Sequence, residues 1–263
     1  MHGIHGGGAV YFSVLGVIEV YEGRQCVLRP TGVMQQTLLA ALLVSGGALV
    51  TVEALVRELW GNTPPAKVEN ALQAQVSRVR RSLGALEPTG AGPRVVSSPS
   101  GYLFRADRSE IDAYVFLDSI EDLLEKEESI NPRTGIEILR GALSLWRGPV
   151  FGGLAGGPIC QAATAKCVES RHSALTLLYE LELKVGRHAQ VLPELAELYA
   201  QNPTHEKFCM LLMRALYRTG RQRDALDVYR ACRRNLVENL GIEPTPALRQ
   251  YEKAILTHDP LLT

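Results

Sequence analysis

The sequence lacks the features that mark membrane proteins, secreted proteins and most enzymes. No apolar run approaches the ~20 residues that a membrane-spanning helix needs, although hydrophobic residues make up 46% of the 263-residue chain. The start, MHGIHGGGAV, lacks the charged-then-apolar layout of a secretion signal. The five cysteines (Cys26, Cys160, Cys167, Cys209, Cys232) are odd in number and form no C-x-x-C pair, which excludes a disulfide framework or a thiolate knuckle. They read as small buried hydrophobes in a reducing compartment, so the expected location is cytoplasmic. No G-x-x-x-x-G-K-[ST], G-x-S-x-G or H-E-x-x-H occurs. His2 and His5 offer at most a weak pair of ligands, and the other histidines are scattered. The expectation is therefore no catalytic residue, no cofactor and no metal.

Net charge is also absent, with 28 basic against 28 acidic side chains. The average hides an asymmetry. Residues 1–105 hold 9 Lys/Arg against 6 Asp/Glu, and residues 106–263 hold 19 against 22. Within 66–105 the count is 6 against 2, so the positive charge is concentrated where a nucleic-acid footprint would need it.

The concentrated stretch begins with AKVENALQAQVSRVRRSLG. Val68, Leu72, Val76, Val79 and Leu83 recur at helical spacing and predict a buried face over 66–84. Lys67, Asn70, Ala74, Ser77 and Arg81, flanked by Gln73, Arg78 and Arg80, occupy the opposite face, with Glu69 the one carboxylate nearby. Asn and Gln pair with adenine edges and Arg with guanine edges, while Ser and Lys suit phosphate oxygens. Asn70, Gln73, Arg78 and Arg81 are expected at base edges, and Lys67, Ser77, Arg80 and Arg94 at phosphates. A hairpin follows in RVVSSPSGYLFR, with its turn at Ser98-Pro99-Ser100-Gly101; Ser100, Gly101 and Tyr102 are expected to place it on DNA.

Ahead of this helix, Val10 to Val20 and Arg24 to Arg29 alternate as the two strands of a hairpin, with a turn at Tyr21-Glu22-Gly23. Gln35 to Val44 is a short, very apolar helix closed by Gly46-Gly47, and Ala48 to Val50 can add a strand. Thr51 is the expected N-cap of a helix reaching Trp60. Gly61 to Pro65 breaks the chain before the amphipathic helix. Sheet, two apolar helices, loop, amphipathic helix and hairpin fit a winged helix-turn-helix.

Beyond Arg105 the pattern is helical throughout, with helices expected at 112–127, 133–146, about 160–185, 188–200, 205–218, 221–239 and 245–257. Residues 110–128 carry eight acidic groups against one lysine, read as a solvated face over an apolar stripe. Gly186-Arg187 and Gly220-Arg221 lie 34 residues apart, each between two helices. Val191, Leu195, Leu198 and Pro203, then Ala225, Tyr229 and Cys232, take tetratricopeptide slots, which predicts a helical repeat with a surface for a partner.

Three motifs carry a family resemblance in the first half: Leu59-Trp60-Gly61 with Pro64-Pro65, Val76 to Leu83, and Pro99 to Leu103. Together they resemble the OmpR-type winged helix of the Streptomyces antibiotic regulatory proteins. The second half continues it in Leu145-Trp146-Arg147-Gly148-Pro149, Leu212 to Gln222, Ala225-Leu226 with Tyr229-Arg230, and Leu240 to Pro246, which are similar to the bacterial transcriptional activation domain. The resemblance covers about residues 10–260. It departs at Met34-Gln35-Gln36, where that family carries basic residues, in the glycine-rich segment after Leu154, and in the His-Gly tail.

The expected fold is mainly α with an α+β N-terminal part: a tail at 1–9, a winged helix at 10–106 and an all-α tetratricopeptide-like domain at 110–260. The resemblance implies a transcriptional activator of a specialised-metabolite (antibiotic) cluster. It implies binding to direct repeats in double-stranded promoter DNA as two protomers, recruitment of RNA polymerase holoenzyme through its sigma factor, and no membrane. The alternative is a helical adaptor or ligand-sensing protein that uses the winged helix for protein contacts.

Overall fold

Val10–Ser13 (β1) runs antiparallel to Glu19–Glu22 (β2), so the β-branched run at 10–20 is two strands where alternation predicted one. The computed structural model describes residues 10–86, 92–125 and 130–259; the tail with His2 and His5, and the acids Glu127 and Glu128, lie outside them. The break in the run has a chemical cause. The Asp112 carboxylate accepts from Ser13 Oγ at 2.5 Å, Val14 N at 2.8 Å and Leu15 N at 3.1 Å. The carbonyls of Leu15 and Val14 accept from Arg147 N and Phe151 N, both at 2.8 Å. Backbone groups bonded this way leave the strand ladder yet stay satisfied while buried. Past a turn at Gly23 (φ 59°), Gln25–Leu28 (β3) completes a sheet of order β1-β2-β3.

Val33–Val44 (α1) is buried at every residue from Thr37 to Leu43, as a helix apolar on all sides must be. Val50–Thr51 (β4) leads into Val52–Trp60 (α2), whose expected cap forms: Thr51 Oγ1 accepts from Ala54 N at 3.2 Å. Val68–Leu83 (α3) is 16 residues long, roughly 24 Å at ~1.5 Å per residue, and begins two positions later than the periodicity suggested. Val95–Ser98 (β5) and Gly101–Phe104 (β6) form the hairpin, and β4 pairs with β6 to give the order β4-β6-β5. Leu38, Leu42, Leu55, Leu72, Val76 and Phe104 fill the space between these helices and the hairpin. Each such side chain contributes roughly 1.5–3 kcal/mol by burial. This is the winged helix.

The remainder is all α: Asp112–Leu124 (α4), Pro132–Leu143 (α5), Pro158–Lys184 (α6), His188–Gln201 (α7), Glu206–Arg218 (α8), Gln222–Leu240 (α9) and Pro246–Leu256 (α10). Helix α5 ends at Leu143, short of the expected Trp146: Leu145 N and Trp146 N turn back to Ala142 O and Leu143 O at 3.2 and 3.1 Å, and Arg147 N donates to Leu15 O. The glycine-rich segment before α6 has a specific partner. Buried Glu58 of α2 accepts from Gly157 N and Ile159 N at 2.7 Å and from Cys160 N at 3.1 Å, which satisfies the open N–H groups at the start of α6. A Cβ on Gly157 would lie 2.6 Å from Glu58 Cα, so the approach requires glycine.

Contacts divide the chain into two compact units, Met1–Glu125 with Gly141–Arg171, and Lys126–Arg140 with His172–Thr263. In the second, the 34-residue repeat is visible in the hydrogen bonding. After Gly186 (φ 82°) Arg187 N donates to Glu182 O at 3.0 Å, and after Gly220 (φ 77°) Arg221 N donates to Leu216 O at 2.9 Å. Val191, Leu195, Ala225, Tyr229 and Cys232 are buried in the expected slots, and Leu198 is half-buried. The tetratricopeptide-like fold follows.

Candidate nucleic-acid interface

Helix α3 turns Leu72, Val76, Val79 and Leu83 inward and leaves the other side bare. Lys67, Asn70, Gln73, Ser77, Arg78 and Arg81 are all exposed. Lys67 stands at the N-cap, just before the first turn. Among the described residues, Lys67, Arg78 and Arg81 have no carboxylate within ion-pair distance, in contrast with Arg108, which is bonded to Asp118. The face offers two amides, a hydroxyl and three cations to whatever approaches it.

Arg80 is different. It is half-buried, and its Nε donates to Val95 O at 3.0 Å while Nη2 donates to Ser97 Oγ at 2.8 Å. Its guanidinium lies 6.0 Å from the centre of the Tyr102 ring. The side chain ties α3 to the wing, with part of its edge left to solvent. Ser97 is an anchor that no sequence motif singled out.

Arg94 is also not where a phosphate contact needs it. Its side chain is 9% exposed, and it forms a two-pronged pair with Glu110 at 2.8 and 2.9 Å. Nη1 also donates to Arg105 O at 3.2 Å, and the guanidinium sits 5.1 Å from the centre of the Phe12 ring. The expectation of a phosphate contact gives way to an internal brace, because the guanidinium is engaged by the Glu110 carboxylate and Arg105 O. Glu110, 16 residues away, escaped the sequence reading because pairing across a hairpin leaves no periodic signal.

At the wing, Pro99 and Ser100 form the exposed tip, and Gly101 is buried. A Cβ there would lie 2.0 Å from Val50 O, so β4 can pair with β6 only past glycine. Tyr102 is half-buried, paired with Val50 and with Ser97 across the sheet. The tip thus presents Ser100, while Gly101 and Tyr102 shape its base. Among the described residues, no group of three or more His, Cys, Asp or Glu converges as a metal site, and no helix is long and apolar enough to cross a membrane.

Comparison with known proteins places this geometry. Residues 111–256 match the family described as "Bacterial transcriptional activator domain". The chain is 38% identical over 260 residues to the transcriptional regulator RedD of Streptomyces coelicolor, covering 97% of this chain and 73% of RedD. It is 35% identical over 256 residues to the regulatory protein DnrI of Streptomyces peucetius, covering 94% and 92%. The structure of Mycobacterium tuberculosis EmbR in complex with a low-affinity phosphopeptide superposes with a TM-score of 0.86 at 28% identity, covering 95% of this chain and 66% of that one. The chain belongs to the Streptomyces antibiotic regulatory protein family of transcriptional regulators, with a winged helix followed by an all-α, tetratricopeptide-like region.

Proposed function

We propose that this transcriptional regulator is a sequence-specific DNA-binding activator, working in the cytoplasm on the promoters of an antibiotic or other specialised-metabolite cluster. The observation that carries the reading is the exposed face of α3, where Lys67, Arg78 and Arg81 stand among Asn70, Gln73 and Ser77 without acidic partners among the described residues. Arginine and amide side chains on one exposed helix face match the donor and acceptor pattern of a major groove, and a helix of ~24 Å fits within it. Asn70, Gln73, Arg78 and Arg81 read base edges, Lys67 and Ser77 hold phosphates, and Ser100 brings the wing to the neighbouring backbone. Arg80, Gly101 and Tyr102 set the wing against α3, and Arg80 reaches a phosphate only with its free edge.

In this reading residues 10–106 bind direct repeats in promoter DNA, one protomer on each, and residues 110–260 serve RNA polymerase holoenzyme, including its sigma factor. Family membership supports that division of labour. The test is binding of purified protein to promoter fragments from its own gene neighbourhood at two salt concentrations, beside an Arg78→Ala/Arg81→Ala variant. Salt-sensitive, sequence-selective binding that the variant loses is the expected result. Equal binding to random duplex, unchanged in the variant, would overturn the reading in favour of a helical adaptor.

A further inference from the structure

Helix α3 carries a single acid, Glu69, in its first turn. The residue is exposed, and among the described residues no cation stands within ion-pair distance of it. Lys67, Arg78 and Arg81 of the same helix are unpaired too, so the carboxylate does not neutralise them. The next residues at helical spacing, Leu72 and Gln73, carry no charge. An acid near a helix N-terminus suits the helix dipole, which accounts for a carboxylate in the first turn. It does not account for the side of the helix on which Glu69 lies. Glu69, Gln73 and Ser77 follow one another at intervals of four and form one exposed ridge.

The step that follows rests on the reading of α3 as the helix that enters the major groove. In a helix-turn-helix the N-terminal residues of that helix meet base edges, and Glu69 is among them. Near phosphates a carboxylate weakens binding unless the groove offers it a donor. An ionised carboxylate only accepts, and this narrows the choice of base. Guanine presents two acceptors, and thymine an acceptor and a methyl group. Adenine sets its amino group beside the N7 lone pair, an arrangement that suits an amide and repels a carboxylate. Cytosine presents its N4 amino group alone.

We propose that Glu69 is a specificity-determining residue, which accepts a hydrogen bond from the N4 amino group of a cytosine in each operator repeat. That cytosine lies beside the base met by Gln73, one helical turn further along α3. On another base the charge faces a lone pair or a methyl group. Glu69 therefore selects as much by weakening the wrong complexes as by strengthening the right one.

The test selects duplexes from a random-sequence DNA pool with the full chain, beside Glu69→Ala and Glu69→Gln, and sequences what is retained. The parent is expected to enrich a motif with a cytosine that Glu69→Ala no longer prefers, while the other positions stay as they were. Glu69→Gln is expected to exchange that cytosine for adenine, since a glutamine amide matches the N6 and N7 pair. A change of base preference at one position is not something that a lost helix-dipole contact produces. On the parent's selected duplex, replacing the cytosine should weaken parent binding about tenfold and leave Glu69→Ala within about twofold. Random duplex should bind Glu69→Ala about twofold more tightly or better, because an anion has left the face. The same motif from all three proteins would overturn this role for Glu69 and leave the DNA-reading face standing. So would a change spread evenly over every position, which marks a general effect of charge. No motif from the parent would overturn the DNA-reading assignment of α3, and this role with it.

Discussion

Arg94 and Glu110 meet in a two-pronged ion pair at 2.8 and 2.9 Å, which joins the start of the wing to the linker entering α4. Glu110 also accepts from Asp107 N at 2.8 Å within a capping box, so one carboxylate serves both elements. Removing one partner of a pair this enclosed leaves the other charge poorly solvated. Arg94→Ala is expected to lower unfolding free energy by about 2–4 kcal/mol in urea titrations. The salt dependence of DNA binding should stay that of the parent for the folded fraction. A lower salt slope with unchanged stability would return Arg94 to the phosphates.

Arg78 and Arg80, two residues apart on α3, should behave in opposite ways. Arg78 is exposed, and its guanidinium has no partner among the described residues, so Arg78→Ala should move stability by no more than about 0.5 kcal/mol. Its effect belongs to binding: roughly 1–3 kcal/mol at one base position, read from a panel of single-base operator variants. Arg80→Ala removes the bonds to Val95 O and Ser97 Oγ. It should cost about 1–2 kcal/mol of stability and weaken binding to all sequences alike. If the two variants lose selectivity equally, the division between base reader and wing brace is wrong.

Glu19 supplies a pH dependence with a defined sign. Burial pushes its carboxyl up, but the hydrogen bond from Tyr21, the bond and charge of Arg29 and the charge of Arg147 outweigh it and hold the carboxyl below its usual 4.5. A carboxyl lowered in the folded state binds fewer protons there than in the unfolded chain. Its contribution is therefore complete above about pH 5 and is lost as pH falls through 4.5 and below. Stability measured between about pH 6 and pH 3 should fall less steeply in Glu19→Gln than in the parent. Parallel curves would show that Glu19 has no part in the acid sensitivity.

The sequence was most legible where periodicity governs. Val68 to Leu83 at helical spacing identified the buried face of α3, and the exposed polar set followed as its complement. Gly186 and Gly220 marked the helical repeat because a left-handed turn between helices favours glycine. What stayed hidden depends on partners far along the chain. Asp112 breaks the first strand from 97 to 99 residues away, and Glu58 caps α6 across a gap of about 100. Both read locally as ordinary acids on helices, since charge alone does not tell a solvated carboxylate from one bonded to buried backbone. The misassignment of Arg94 has the same origin: a basic residue before a wing reads as a DNA contact until Glu110 is seen opposite it.

Gly101 is the position where wing and core are most tightly bound together. Thr51 pairs with Gly101 and Val50 with Tyr102, and Val52 N donates to Ser100 O at 3.0 Å. A methyl group at 101 would stand 2.0 Å from Val50 O and 2.8 Å from Thr51 Cα, and both are backbone atoms that no rotamer change can move aside. Relief requires β4 to leave β6, and β4 ends on Thr51, the residue that caps α2. Gly101→Ala is therefore expected to destabilise the protein by about 3 kcal/mol or more, with hydrogen exchange accelerated at Val52 and Tyr102 ahead of the α3 core. Ser100→Ala, one residue earlier at the exposed tip, should leave stability within about 0.5 kcal/mol of the parent. Its effect should fall on DNA affinity alone. A stable Gly101→Ala protein with unchanged exchange at Val52 would mean that β4 is not the strand that fixes the wing.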